Sequence, residues 1–225
     1  RTFDRLARNI GNQLMIDSTE IADKLNDPAF MESLGYNQEN LYCFFVPNTY
    51  EVYWNMSVDN FFDRLKKEHD RYWNAERLEK AKKIGLTPQQ VCTLASIVDE
   101  ETNNNNEKPI VAGLYMNRLY KGMPLQADPT IKFALQNFEL RRIVNAHLEI
   151  ESPYNTYKNA GLPPGPIRIP SLKAVDSVLN YSKHNYLYMC AKEDFSGTHN
   201  FATTLSEHMA NARKYWNALN DRKIY

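Results

Sequence analysis

The segment TPQQVCTLASIVDEET, residues 87–102, decides how the chain is read. Thr87 offers a hydroxyl suited to an N-cap, and Pro88 has the fixed φ suited to a first helical position. Val91, Leu94, Val98 and Glu101 then recur at steps of three, four and three, which is one face of an α-helix. Glu101 therefore continues an apolar stripe. Asp99 and Glu100 are rotated away from it, by about 100° per residue. The four asparagines that follow, Asn103–Asn106, suit a helix exit, where Asn tolerates the left-handed conformation.

Three consecutive acids at a helix C-terminus oppose the macrodipole, at about 0.3–1 kcal/mol each. A solvated acidic helix end is the plain reading of such a triplet. The stripe adds a second one. An acid on the core-facing side is partly desolvated, which disfavours its ionised form, and the two neighbouring acids push the same way. A carboxyl that stays protonated near neutral pH is what a general acid requires. If one of the three does chemistry, geometry favours Glu101. A two-carboxylate glycosidase needs its acids on opposite sides of the scissile bond, roughly 5–9.5 Å apart. Adjacent acids on one helix cannot meet that, and Asp128 is the nearest independent candidate.

Upstream, TFDRLARNI places Phe3, Leu6 and Ile10 at helical spacing, and DSTEIADKL offers Asp17 or Ser18 as an N-cap. LYCFFVPNTYEVYW (41–54) is aromatic and β-branched with a turn signal at PNT, and predicts a strand or hairpin. SVDNFFDRLKKEHDRYW from Ser57 and NAERLEKAKKIG ending at Gly85 predict two helices. Downstream, a helix runs from near Pro109 to Gly122, and Pro and Gly then concentrate between 124 and 170, so loops dominate there. YLYMCA (186–191) and THNFA (198–202) predict short strands around a turn at Gly197, and TLSEHMANARKYWNALN predicts a closing amphipathic helix. The fold class expected is α+β.

Composition removes several function classes. Of 225 residues, 43% are hydrophobic, enough for a real core, and 27 Lys and Arg balance 27 Asp and Glu. Electrostatic nucleic-acid binding, which needs a basic surplus, is excluded, as is disorder. No run of 18 apolar residues occurs, so no membrane-spanning segment is expected within the chain, and no signal peptide is visible. The chain opens mid-pattern without an initiator Met and reads as a piece of a longer protein, with room for an anchor upstream. Cys43, Cys92 and Cys190 are odd in number, far apart and in apolar settings, which predicts buried free thiols. His69, His147, His184, His199 and His208 show no metal-ligand spacing, and there is no GxSxG elbow or Walker loop. No metal or cofactor is expected.

Three later stretches stand out: MPLQADPTIKFAL (123–135), SPYNTYKNAGLPPGPIRIPS (152–171) and YLYMCAKEDFSGTHNFATT (186–204). Each alone is weak, since Tyr, Asn and Thr beside a fixed Pro loop also make ordinary surface turns. Taken in order with ASIV-acid-x-E-T and NRL, these stretches supply G-M-x-L-Q-x-D-P-T, S-x-YNTY, GLPPGPI, YLY and G-x-H-x-F. The set resembles the endolytic murein transglycosylases, the YceG-like or MltG family. LYCFFVPNTYEVY is similar to that family's G-x-x-x-P-D-T-Y segment. The resemblance runs from about Leu41 to the final helix. It implies a mostly helical catalytic domain with short strands over residues 46–225, preceded over residues 1–45 by the end of a truncated LysM-like subdomain.

The resemblance also implies a reaction. The family cleaves peptidoglycan glycan strands between N-acetylmuramic acid and N-acetylglucosamine without water. The muramoyl C6 hydroxyl attacks its own anomeric carbon and leaves a 1,6-anhydro end. One glutamate is acid to the leaving oxygen and then base to that hydroxyl, so no second carboxylate is needed. It is the third residue of the family's usual EKE triplet, here Glu101 of DEE. Carried over by position, Gln126, Asp128 and Thr130 would line the cleft, and Tyr154, Asn155, Thr156 and Tyr157 would bond sugar or orient Glu101. Gly161, Leu162, Pro163 and Pro164 would form a rigid wall. Asn117, on the stripe of Ile110 and Leu114, fits a buried structural amide as well as a site role, and His199 fits a structural role better than ligand binding. An inner-membrane anchor with the domain facing the wall, and cooperation with glycan synthases, are further implications. Glu100 in place of the family's Lys, and PNTY where an acid is commoner, are the departures. A non-catalytic wall-binding module is the rival of another class. A pyridoxal-phosphate lyase, a label relatives have also carried, lacks both a distinctive lysine and a phosphate loop here.

Overall fold

The computed structural model describes residues 2–140 and 142–222. The fold is built around one helix, α6 (Pro88–Glu101), which starts with a complete capping box. The Thr87 hydroxyl accepts from Gln90 N–H, and the Gln90 side chain accepts from Thr87 N–H. Every residue from Val91 to Asp99 is buried. α6 is therefore buried on all sides rather than along one stripe, with its polar Thr93, Ser96 and Asp99 enclosed as well. Around it lie α5 (Ala75–Lys83), α7 (Lys108–Tyr120), α8 (Asp128–Ala134), α10 (Leu172–Leu179) and a 3-10 turn (Leu41–Phe44). Leu94, Ile97 and Val98 have no exposure at all. Each such side chain contributes about 1.5–3 kcal/mol by leaving water.

The N-terminal part is helical, as its periodicity predicts: α1 (Phe3–Gly11), α2 (Ser18–Asn26, capped by Asp17) and α3 (Pro28–Ser33). Among described residues 2–45 there is no strand, and Leu25, Leu41 and Phe44 belong to the same core as Phe62 and Leu94. No break in the core marks the expected 45/46 boundary.

The strand or hairpin expected over 41–54 does not form. Leu41 to Phe45 are all buried, so the period of two that defines a half-buried strand is missing. Local polar groups wind the chain instead: the Asn37 carboxamide oxygen accepts from the N–H groups of Glu39 and Asn40, and Leu41 N–H bonds Asn37 O. The following segment spends its polar groups one by one rather than in a ladder. The Tyr50 hydroxyl donates to Val46 O, and Trp54 O accepts from Met15 N–H.

α4 (Val58–Tyr72) and α5 then buttress the core. α5 ends at Gly85, whose φ of +70° is the left-handed exit that lets Leu86 N–H reach back to Ala81 O. No asparagine of the 103–106 run takes that conformation. Thr102 ends α6 in an extended conformation, and the Asn104 side chain builds a turn by accepting from Asn106 N–H. The 124–170 region is mostly loop, as its Pro and Gly content implies, but it holds α8 and the short α9 (Asn145–Leu148).

α7 fixes the last third of the chain. Gly113 is the contact point: a Cβ there would collide with the Ser182 carbonyl and the His184 ring. The Asn117 amide donates to His184 O and Tyr186 O at 2.7 and 3.0 Å, and Arg118 Nε donates to Leu187 O at 2.7 Å. Asn117 is thus a structural amide. These bonds place β1 (Tyr188–Ala191), which pairs antiparallel with β2 (His199–Ala202) in the register Tyr188–Ala202 to Ala191–His199. The closing helix α11 (Leu205–Asp221) packs on this hairpin. Among the described residues no helix is long and apolar enough to cross a membrane.

Candidate active site

The three acids that end α6 have three different fates, and none is solvated. Asp99 is buried at the junction of α6, α7 and α10. Its carboxylate takes Lys108 Nζ at 2.5 Å, Ser171 N–H at 2.7 Å and the Ser171 hydroxyl at 2.9 Å. Burial pushes this carboxyl upward, but Lys108 and the two Ser171 bonds outweigh it and hold it below the usual carboxylate range. Glu100 is half-buried and pairs with Arg168 Nη1 at 2.9 Å.

Among the described residues, none forms an ion pair with Glu101. The Tyr115 hydroxyl, from α7, donates to Glu101 Oε1 at 2.6 Å. Burial is the largest influence on Glu101 and pushes it up to about 7. The Tyr115 bond and the charge of His199 act downward, and the charges of Asp128 and Glu100 act upward. The like charge that matters most is Asp128, 27 residues on in sequence.

Glu101 opens into a cleft of about 210 Å³. Tyr115 and Arg118 of α7, Gln126, Asp128 and Tyr157 from the following loops, and Met189 to Ala191 and His199 of the hairpin surround it. The Tyr157 hydroxyl donates to Asp128 Oδ1 at 2.5 Å, so a second carboxylate faces the cleft with its own donor. Gln126 sits at φ +53°, a conformation that costs a non-glycine residue about 1–3 kcal/mol. It is held there by Gln126 N–H to Thr156 O at 3.0 Å and by Arg118 Nη1 to Gln126 Oε1 at 3.1 Å. Arg118 also bonds the carbonyls of Pro124, Leu125 and Leu187, clamping one rim of the cleft to the other.

The residues expected to form the site separate into groups. Glu101, Gln126, Asp128 and Tyr157 line the cleft. Thr130, Asn155 and Thr156 are buried behind it. The Thr130 and Thr156 hydroxyls lie 2.8 Å apart, Thr156 Oγ accepts from Ala127 N–H, and the Asn155 amide donates to Leu148 O and Ile150 O. This buried joint fixes where α8 begins, and Asp128 with it. Tyr154 points elsewhere, packed on Phe133 with ring centroids 4.7 Å apart and its hydroxyl toward Glu39 O. Gly161 to Pro164 border a separate hollow of about 450 Å³ with Gln89, Thr93 and Tyr120. A still larger, mostly apolar hollow of about 600 Å³ lies between α1, the 45–52 segment and α4. Size does not select the site; the buried carboxyl does.

Tyr115 and Arg118 complete the cleft and were not singled out as site residues, and His199, read as structural, also lies on its wall. Tyr115 and Arg118 are three apart on a helix, which puts them on one face, but nothing local says that this face meets Glu101. Cys43 and Cys92 are buried thiols as expected, whereas Cys190 is half-buried on the cleft wall.

The model of the YceG-like family matches residues 1–214. The chain is 32% identical over 208 residues to a protein of Bacillus subtilis named endolytic murein transglycosylase, covering 90% of this chain and 55% of that protein. A Streptococcus pneumoniae protein of the same name is 31% identical over 203 residues, covering 85% of this chain and 36% of that one. The chain thus spans about half or less of the curated relatives it matches. The crystal structure of a YceG-like protein from Listeria monocytogenes superimposes with a TM-score of 0.77 at 29% identity, covering 93% of this chain and 73% of that one.

Proposed function

The chain belongs to the YceG-like family, and from that premise we propose that it is a peptidoglycan lytic transglycosylase with Glu101 as its acid and base. One observation carries the reading: a buried carboxyl, pushed up to about 7, opens into a polar cleft with a single phenolic donor on it. Such a group is protonated often enough at neutral pH to give a proton, and is basic enough afterwards to take one back.

The reaction balances on one residue. The Glu101 proton passes to the glycosidic oxygen as the bond from the muramoyl C1 breaks. The C6 hydroxyl oxygen of the same sugar then bonds C1, and its proton passes to the Glu101 carboxylate. No water enters, and the enzyme returns to its starting state. The cleft walls have the matching tasks. Tyr115 steadies the carboxylate formed midway, while Asp128, holding the Tyr157 hydroxyl proton, and the Tyr157 oxygen offer acceptors to sugar hydroxyls, and the Asp128 charge faces positive charge developing at C1. The substrate class is suggested by the names of the curated relatives. We extend the proposal to the setting the resemblance implies: attachment to the inner membrane through a segment preceding this chain, with glycan synthases as partners.

The test is digestion of purified glycan strands with mass analysis of the new ends. Wild type is expected to leave 1,6-anhydromuramoyl ends, and Glu101→Gln, folded by circular dichroism, none. Reducing ends would mean hydrolysis, with Asp128 then the candidate second carboxylate. Strand binding without any cleavage by wild type would favour a wall-binding module.

A further inference from the structure

Gln126 stands on the cleft wall in a strained conformation and has no part in the chemistry above. Its φ of +53° lies where glycine is at ease and a glutamine is not. Thr156 holds this turn with both of its polar groups: its carbonyl accepts from Gln126 N–H and its hydroxyl from Ala127 N–H, each at 3.0 Å. Ala127 is buried, whereas Gln126 and Asp128 on either side of it are exposed and line the same cleft. The Gln126 carboxamide has a fixed sense. Arg118 Nη1 lies 3.1 Å from one of its end atoms, and a guanidinium carries donors only, so that atom is the oxygen. The amide nitrogen is left with two N–H donors and no bond to any described residue. Asp128 is held in a matching way: Tyr157 occupies Oδ1, and Oδ2 has no partner among the described residues. One neutral donor and one acceptor thus stand two residues apart, each tied down from behind.

We propose, resting on the reading of the cleft as a glycan site, that Gln126 and Asp128 together read the 2-acetamido group of a bound sugar. Gln126 Nε2 donates to the acetyl carbonyl, and Asp128 Oδ2 accepts from the amide N–H. The N–H and C=O of a trans amide point in opposite directions, so groups that read both must flank it. Two hydrogen bonds and the width of the amide set donor and acceptor roughly 7–8 Å apart. Ala127 is extended, at φ −94° and ψ 112°, which separates the flanking Cα atoms by at most about 7 Å and lets the two side chains straddle such a group. A hydroxyl would satisfy only one of the pair at a time. A carboxylate would satisfy the donor alone and be repelled by Asp128. The acceptor role of Asp128 is thereby narrowed from any sugar hydroxyl to an amide N–H.

The measurement is binding, not catalysis. The protein is titrated by NMR with a chito-oligosaccharide, which carries an acetamido group on each sugar, and with a cello-oligosaccharide of equal length, which carries a hydroxyl there. The chito-oligosaccharide should shift the Gln126 side-chain amide resonances and bind roughly tenfold more tightly, the size of one or two hydrogen bonds. Gln126→Glu keeps an oxygen for Arg118 but turns a second oxygen to the sugar, and should erase most of that preference. Gln126→Gly suits the backbone, adds no charge and should erase it as well. Asp128→Asn, with its oxygen kept toward Tyr157, sets a donor against the acetamide N–H and should do the same. Urea unfolding checks that all three variants are folded. Equal affinity of wild type for the two oligosaccharides, no binding of the chito-oligosaccharide, or a preference kept in any one variant overturns the proposal. Selective binding by a wild type that cuts no glycan would sink the proposed reaction and leave the acetamido site. Anhydro ends from a protein without the preference would do the reverse.

Discussion

Asp99 and Glu101 stand two residues apart on one helix, both withdrawn from water, and have opposite proton affinities. Asp99 meets an ammonium and two Ser171 donors and is held as a carboxylate. Glu101 meets one phenol and a second carboxylate across a cleft, and is held largely as an acid. Burial is the leading influence on both, so burial alone does not make a catalytic carboxyl. What differs is the supply of compensating charge, as in known pairs of carboxyls whose surroundings push their proton affinities apart.

The sharpest way to break this comparison is to remove each carboxyl's function in turn. Glu101→Gln should lower strand cleavage by about 10²–10⁴-fold, the range for a single acid–base group, read from initial rates. Lys108→Met should act on stability instead. It leaves Asp99 buried without its cation, at about 3–5 kcal/mol by urea denaturation, with the cleft chemistry unchanged in the fraction still folded. If Lys108→Met proves neutral in stability, the Asp99 junction is not the closed ion pair described.

Stability against pH should separate the two acids by sign. Asp99 is lowered in the folded state, so its contribution is present above its unfolded value of 3.8 and is lost as pH falls through the lower folded value. Glu101 is raised, so the folded protein holds its proton when the unfolded chain has released it. Stability therefore falls as pH climbs from 4.5 toward about 7. At about 1.4 kcal/mol per pH unit the fall reaches up to about 3 kcal/mol. Glu101→Gln should abolish that fall and be more stable than wild type at pH 8. A variant that keeps the wild-type slope would show that Glu101 ionises normally.

Tyr115→Phe tunes the same group less. Its hydroxyl favours the carboxylate, so its loss should raise the Glu101 midpoint, move the alkaline limb of activity upward and cost about 1 kcal/mol of transition-state stabilisation, as for a single hydrogen bond.

The helices were legible because their caps and spacings are local: Thr87 caps α6 as read, and of the two candidates Asp17 and Ser18 it is Asp17 that caps α2. The stripe led to Glu101 although α6 has no exposed face along Val91 to Asp99. It correctly placed Glu101 in line with the core, but it also placed Asp99 outside, where the structure buries it. What corrects Asp99 is Lys108, nine residues on and across a helix break, and no periodicity reports such a partner. Tyr115 opposite Glu101 depends in the same way on how α6 and α7 cross. The 41–54 segment misled because aromatic richness signals burial, which a fully enclosed turn satisfies as well as a strand. YNTY misled in another way: Asn155 and Thr156 bond backbone inside the protein, and of the four only Tyr157 reaches the cleft.

The weakest contrast concerns the middle acid. Glu100 is the farthest departure of this triplet from the family pattern, and its charge is the smallest of the influences named on Glu101. Arg168, 2.9 Å from it, sends most of that charge's field back on itself. Partly exposed pairs of this kind are worth about 0–1 kcal/mol. Glu100→Gln should therefore lower the alkaline limb of the cleavage profile by only a few tenths of a pH unit, at most about 0.4 kcal/mol on the same conversion. Arg168→Gln should shift the limb the other way and further, because it unmasks the Glu100 charge beside Glu101. Opposite signs in the two variants would make DEE a tuned triplet. A null result in both would assign Glu100 to the pairing of α6 with the 168 loop alone, and leave the cleft's proton balance to Asp128, Tyr115 and His199.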